Sequence, residues 1–498
     1  MKKRVKTNIA LFLIITVIIF LSGCGASIEA GSYTGTATGY HGDIQATTEV
    51  DQDGKIINIS IAENTETEGI GTIAIEKIPE YIIEAQSLDV DVVSGATVTS
   101  NAIIDAVADS LEKAGTDLSN YGYTAEEVKS EEASAKINKD TMPEKKQTTD
   151  TITITDVKNR EVTINLPISS YAISTMDVID YIIPLKGEDA FNMLVGSGQD
   201  GGGGIQKYEE LYAPIIGDYA EHLGQISDHN SPFDLEMILS MDPDVIIVNS
   251  AMAAHRYALE VEDLLSEAGI EIVLIDVPGE KMDKSVQQTM KLLGQIFQEE
   301  EKATEVSDFV DKQYELIASK NLAQRKDKPT VYYEKSGYSE IYGSTATSDS
   351  GWGFPIAIAG GDNIADEILL DTASSSGSSN TLDPEYVIKA DPDYIFLSGI
   401  NDGWLDSLRE TSPYGFDIIN RTGWINLKAV NNGNLYEFAH ATNRSIYAFY
   451  PCLEMAKILY PDEFSDIDPE EILNEFFDKF MLLDSDITTW LINLEDIK

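Results

Sequence analysis

The run Asp91-Val92-Val93-Ser94-Gly95-Ala96-Thr97-Val98-Thr99-Ser100 sets hydroxyl side chains around a glycine and an alanine. It stands directly before a helix expected to start near Asn101, in which Ile103, Ile104, Val107 and Leu111 share one face. A helix N-terminus presents unpaired N–H groups and the positive end of the macrodipole, which favours a phosphate there. Gly95 and Ala96 allow a bulky group to come close, and the Thr97 hydroxyl is a candidate ester acceptor. On these residues alone the competing interpretation is a Ser/Thr-rich cap in an ordinary loop.

A second set of residues falls in loops that follow apolar strand-like runs. His255 and Arg256 come after Val245-Ile-Ile-Val, Trp352 after the strand at Val331, Trp404 after Tyr394-Ile-Phe-Leu, and His440 and Arg444 after Leu435-Tyr-Glu-Phe. In open α/β sheets, ligands bind beyond the carboxyl ends of strands. Arginines there can pair with an anionic ligand, tryptophans can stack on an aromatic one, and histidines can ligate iron. The alternative for each is a local ion pair or a core ring. The Gly201–Gly204 run lacks the spacing of a nucleotide-binding P-loop. No HExxH, GxSxG or CxxC occurs, so neither hydrolysis nor structural zinc has support, no catalytic residue is assigned, and the identity of any metal site stays open.

These residues need about three compact units to hold them, given 498 residues. A hydrophobic fraction of 43% excludes disorder throughout, and a net charge of −50 excludes a nucleic-acid binder that relies on a basic surface. The basic start Met1–Lys6 and the apolar run Ile9–Leu21 predict a signal peptide over residues 1–23. Leu21-Ser22-Gly23-Cys24 resembles the lipobox of bacterial lipoproteins. That resemblance implies lipidation at Cys24, a tether over residues 24–30, and a location on the extracytoplasmic face of the cell membrane. Cys452 is expected to be a small core residue.

From Gly31 the sequence alternates in short strands, then gives two helical stretches, Gly71 to Ala85 and Asn101 to Ala114, so residues 31–115 read as a small α+β domain. Residues 116–150 read as a linker. Its part from Ala125 to Asp150 is nearly free of large apolar side chains and would span about 25 to 30 Å as a flexible coil. Beyond it, Asp234-Leu-Glu-Met-Ile-Leu-Ser-Met-Asp-Pro-Asp-Val-Ile-Ile-Val is echoed without a gap by Asp383-Pro-Glu-Tyr-Val-Ile-Lys-Ala-Asp-Pro-Asp-Tyr-Ile-Phe-Leu. Each copy predicts a short helix, a turn and a buried strand, so two related α/β lobes are expected, over residues 151–298 and 323–498. Between them residues 299–322 predict a single connecting helix with Val306, Phe309, Val310, Tyr314 and Ile317 on its apolar stripe.

The Ser-Gly-Ala-Thr motif, preceded by Glu66-Thr67-Glu68-Gly69-Ile70-Gly71, resembles the FMN-binding domain of the flavin subunits of the sodium-pumping NADH:quinone reductase and of Rnf complexes. That resemblance implies FMN, joined by a phosphoester to Thr97 through a separate flavin transferase. Asp91, Ser94, Gly95 and Ala96 match the recognition motif, and Glu68, Gly69 and Gly71 match the loop near the flavin. Residues 151–498 resemble ABC-transporter substrate-binding proteins of the iron-siderophore, haem and cobalamin type. The features that carry this are Thr153-Ile-Thr155-Asp156, the paired Asp-Pro-Asp strands, Ala359-Gly-Gly-Asp362-Asn-Ile-Ala-Asp366, and Leu459-Tyr-Pro-Asp-Glu-Phe464. The expected fold is thus a small α+β domain followed by a two-lobed α/β binding protein. The expected function is capture of a ferric chelate or haem-like complex for an ABC permease, with FMN passing electrons from a membrane donor to the metal. Two alternatives are a binding lipoprotein without a redox role and an extracellular electron-transfer lipoprotein without a transport ligand.

Overall fold

The computed structural model describes residues 29–67, 69–93, 95–123, 150–198, 204–217, 219, 223–227, 232–250, 254–277, 281–335, 344–370, 380–398 and 415–497. Contacts divide the chain into one unit built from Met1–Val92 and Thr99–Ala125 and a second built from Val93–Val98 and Glu126–Lys498.

The first unit is a three-stranded antiparallel sheet of β1 (Gly31–Thr38), β2 (Asp43–Val50) and β3 (Ile56–Ile61), with helix α1 (Gly71–Ala85) and helix α2 (Thr97–Lys113) from Thr99 onward. The expected apolar face of α2 is buried, with Ile103, Val107 and Leu111 fully inside. The helix begins at Thr97, four residues before the expected Asn101, so the first turn contains the motif's threonines. Thr97, Val98 and Thr99 are β-branched and Ser100 competes for backbone bonds, which hides a helix start from propensity; tertiary contacts to Thr99 override it. The unit also continues past the expected boundary at Gly115. Tyr121 is buried and donates its hydroxyl to the Gly54 carbonyl, while the Leu88 N–H donates to the Tyr121 carbonyl at 2.7 Å.

Helix α2 lies close against β1. The Thr36 N–H donates to Asp109 Oδ2 at 2.8 Å, and the Ser110 hydroxyl donates to Thr48 Oγ1 at 2.6 Å. A Cβ on Gly35 would lie 2.0 Å from the Ala106 carbonyl oxygen and 2.4 Å from the Ser110 nitrogen. Both are helical backbone atoms and cannot step aside singly. Gly35→Ala is therefore expected to lower the stability of this unit by roughly 3 kcal/mol, the upper end for overpacking, read as earlier loss of its amide protection in hydrogen exchange.

The second unit opens with a hairpin, β4 (Asp150–Thr155) and β5 (Glu161–Leu166). The first lobe is a parallel sheet in the order β10-β9-β6-β7-β8, made of β6 (Tyr171–Ile173), β7 (Leu194–Gly198), β8 (Gly224–Ser227), β9 (Val245–Asn249) and β10 (Glu271–Ile275). The second lobe has the order β12-β11-β13-β14-β15. Its strands are β11 (Thr330–Lys335), β12 (Asp362–Asn363), β13 (Tyr394–Ser398), β14 (Leu435–Phe438) and β15 (Leu491–Asn493), the last antiparallel. The helix Glu300–Ser319 connects the lobes, with Val306, Val310, Tyr314 and Ile317 buried and Phe309 half-buried against Phe449, Phe476 and Phe480. One hydrophobic core runs from Ile173 and Ile247 through Val310 to Phe438 and Phe449, so the lobes share their packing.

The sequence echo is a structural one. Asp234 caps the helix Leu235–Met241 by accepting from the Met237 N–H, and Asp383 caps Pro384–Ala390 by accepting from the Glu385 N–H. Each helix ends on an aspartate in the left-handed region, Asp242 at φ 46° and Asp391 at φ 47°. The last aspartate of each Asp-Pro-Asp then anchors the start of a neighbouring strand. Asp244 accepts from the Ser169 and Ser170 N–H groups, and Asp393 from the Thr330 N–H and hydroxyl. These aspartates thus serve helix capping and strand register.

Candidate functional site

Thr97 is half-buried at the start of the seventeen-residue α2. The turn that delivers it has Gly95 at φ +80° and a hydrogen bond from the Ala96 N–H to the Val93 carbonyl. Asp91 is exposed, and Ala96 is buried. Gly69, also at φ +80°, is exposed, and a Cβ there would meet no atom within 4 Å. Its N–H donates to the Thr72 hydroxyl at 2.9 Å, and Gly71 opens α1 as a buried residue. A left-handed glycine with open space above it leaves room for a flat ring, and a helix start suits a phosphate. These residue types are compatible with a flavin mononucleotide. Glu68 and Ser94 lie outside the described residues, as does Cys24.

The acidic loop carries a residue that sequence reasoning passed over. Glu66 is only 7% exposed; its Oε2 accepts from the Thr99 hydroxyl at 2.6 Å and its Oε1 from the His41 N–H at 3.1 Å. Nothing in the spacing of Glu66 and Thr99 announces this pair, which closes across thirty-three residues.

In the second unit, both sheets reverse their strand order beside their first strand, and polar groups gather at the carboxyl ends there. In the first lobe the Asn249 N–H at the end of β9 donates to the Ser174 hydroxyl oxygen that follows β6, at 2.9 Å. Thr175 donates its hydroxyl to Asp177 Oδ1. In the second lobe, Tyr333 on β11 and His440 after β14 meet at Ser398, the end of β13. The Tyr333 and Ser398 hydroxyl oxygens are 2.7 Å apart, and His440 Nδ1 lies 2.8 Å from Ser398 Oγ. The two lobes come together at Arg444, whose Nε is 3.8 Å from Asp177 Oδ2, beyond hydrogen-bond length. Burial pushes the nearby Asp180 carboxyl well above the usual carboxylate range, and Tyr208 donates to it at 3.1 Å. Asp177 is a carboxylate that faces the Arg444 guanidinium at 3.8 Å.

Trp352 does not offer an open face for stacking on a ligand. It is 3% exposed, its ring nearly parallel to those of Tyr333 at 5.8 Å and His440 at 6.3 Å, with Phe438 on a third side. It supports His440 from behind, because these rings and the apolar core occupy its surface. Its Nε1 has no acceptor among the described residues. His255 and Arg256 fall on the helix Ala254–Glu260, but their side chains lie outside the described residues, and so does Trp404. From the sequence set the structure thus places His440 and Arg444 at the two ends of one short turn, His440 meeting Ser398 with Tyr333 and Arg444 facing Asp177. Cys452 is a buried core thiol, raised by burial.

Comparison with known proteins agrees with this two-part organisation. Residues 39–112 match the FMN-binding domain family, and residues 218–441 match the periplasmic binding protein family. The NADH:acrylate oxidoreductase of Vibrio harveyi is 39% identical over 87 residues, 18% of this chain and 9% of that protein, so the chain spans only a small part of this relative. The molybdate-binding protein MolA of Haemophilus influenzae is 23% identical over 355 residues, 66% of this chain and 90% of MolA. Among solved structures, the TroA-like periplasmic binding protein FepB of Veillonella parvula superposes with a TM-score of 0.58 at 25% identity, covering 69% of this chain and 99% of that one. The chain thus joins a stretch that matches the FMN-binding domain family to a stretch that matches the periplasmic binding protein family in one polypeptide.

Proposed function

We propose that this chain is an extracytoplasmic solute-binding flavoprotein, anchored through a lipid on Cys24, which captures a ferric chelate or haem-like complex and hands it to an ABC permease. The observation that carries the ligand reading is the Tyr333–Ser398–His440 chain at the reversal point of the second lobe, beside Arg444. Imidazole and phenol are iron-capable donors, and the guanidinium suits the carboxylates or catecholate oxygens of a chelator. Held at Thr97, FMN would supply a redox centre that takes two electrons from a membrane donor and passes one to each of two ferric ions, reducing them to ferrous. Hard-oxygen chelators hold ferrous iron more weakly, so reduction would release the cargo. Fusion in one polypeptide gives the two modules a fixed one-to-one ratio and a raised effective concentration.

The relative MolA favours a second reading, a tetrahedral oxyanion paired with Arg444 in place of Asp177. Calorimetric titration of the purified protein with a ferric catecholate, haemin and molybdate separates the two. A ferric ligand is expected to bind, with His440→Ala weakening it about tenfold, equivalent to one hydrogen bond or weak coordinate contact. Binding of molybdate alone supports the second reading. Equal binding of iron complexes by wild type and His440→Ala defeats the first.

A further inference from the structure

We infer that Glu66 is the positioning residue that presents Thr97 for flavin attachment, an inference that rests on the assignment of Thr97 as the attachment point. Its carboxylate joins three segments of the first unit. One oxygen accepts from the Thr99 hydroxyl in the first turn of α2 at 2.6 Å, and the other from the His41 N–H in the β1–β2 turn at 3.1 Å. The backbone of Glu66 belongs to the acidic-glycine loop, where its own N–H donates to Asn64 Oδ1 at 3.2 Å. The loop and turn are tied again by the Thr65 hydroxyl, which donates to the His41 carbonyl at 3.1 Å. Gly39 is fitted to the same carboxylate, since a Cβ there would lie 2.7 Å from Glu66 Oε1.

Helix geometry turns this junction into an aiming device. Successive residues rotate by about 100°, so residues two apart point to nearly opposite sides of the helix. Thr99 is fully buried and held by Glu66, which sets Thr97, half-buried, on the opposite side of the helix. The negative carboxylate at the first turn also complements the positive end of the α2 macrodipole and steadies a start made of weak helix formers. The attachment itself forms a bond from Thr97 Oγ1 to the FMN phosphorus of a flavin adenine dinucleotide. The pyrophosphate P–O bond breaks, AMP leaves, and the hydroxyl proton passes to the flavin transferase. Glu66 makes no contact with those atoms; it fixes where the hydroxyl stands.

The test uses the full chain, a flavin transferase and flavin adenine dinucleotide. Covalent flavin per polypeptide is followed by fluorescence in denaturing gels and located by the mass of the Thr97 peptide, with a thermal melt of each variant. Glu66→Gln turns one acceptor into an amide donor, and Thr99→Val removes the hydroxyl at constant shape. Each is expected to lower the maximal loading rate about tenfold, with the dinucleotide concentration for half-maximal rate unchanged. The double variant is expected to load no more slowly than the slower single, because both changes break the same bond. Gly35→Ala, which destabilises the unit away from Glu66, is expected to load at the wild-type rate. Wild-type rates in both single variants would overturn the inference while leaving Thr97 as the attachment point. Slowing by Gly35→Ala equal to that by Glu66→Gln would also overturn it, as a stability effect. A wild-type chain that takes no flavin at Thr97 would overturn both.

Discussion

Thr97→Ala is expected to abolish covalent flavin completely, whereas Thr97→Ser should retain part of it. The change to alanine removes the only side-chain atom at that position able to form the ester, and no compensation by packing can replace it. Other hydroxyls stand close in sequence, but Thr99 is buried and engaged with Glu66, so it cannot substitute. Serine keeps Oγ yet lacks the methyl that restricts χ1, so its hydroxyl is less well aimed and should load more slowly. The measurement is the mass of the peptide carrying residue 97 after expression with a flavin transferase. A Thr97→Ala chain that still carried a flavin ester elsewhere would overturn the proposed attachment at Thr97. Ligand binding at the Ser398 and His440 cluster should be unchanged in Thr97→Ala, because the side chains that build that cluster do not include Thr97.

The second large effect is expected at Arg421. Glu334 sits fully buried near the end of β11, and Arg421 pairs with it through two bonds, Nη1 to Oε2 at 2.9 Å and Nη2 to Oε1 at 2.7 Å. Tyr332 donates a further hydrogen bond to Oε2 at 2.8 Å, and the guanidinium lies 5.0 Å from the Trp424 ring centre. Arg421→Ala leaves a carboxylate in the second lobe without its counter-charge, which costs about 3–5 kcal/mol for a buried pair broken on one side. For a body of this size that lowers the melting temperature by on the order of 10 °C. Glu334→Leu in the same chain should recover much of the loss, since an apolar pair removes the stranded charge instead of exposing it. A melt unchanged by Arg421→Ala would mean that Glu334 is compensated by groups other than Arg421.

Because Glu334 and Tyr333 are adjacent on β11, the same strand carries the stabilising pair on one face and the candidate ligand cluster on the other. Arg421→Ala is thus also a probe of how far the cluster depends on strand rigidity. Gly35→Ala serves the first unit in the same way, since it strains the β1–α2 contact at Ala106 without touching the loop of Glu66.

Much of this architecture is written locally in the sequence. The two Asp-Pro-Asp segments specify their helix caps, left-handed turns and buried strands from residues only a few positions apart, so the paired α/β lobes are legible from sequence alone. The apolar stripe of the connecting helix is likewise a local periodic signal, and it is buried as expected apart from the half-exposed Phe309. The Ser-Gly-Ala-Thr run marks the candidate flavin site by residue type. What only the tertiary structure decided are the pairings between distant segments. Glu66 meets Thr99, Tyr333 and His440 meet at Ser398, Arg444 faces Asp177 across the lobes, and Trp352 turns inward to back His440. Each joins side chains whose separation along the chain carries no period, and each depends on which neighbours fill the surrounding space. Residue type declares what a group can do; packing alone decides what it faces.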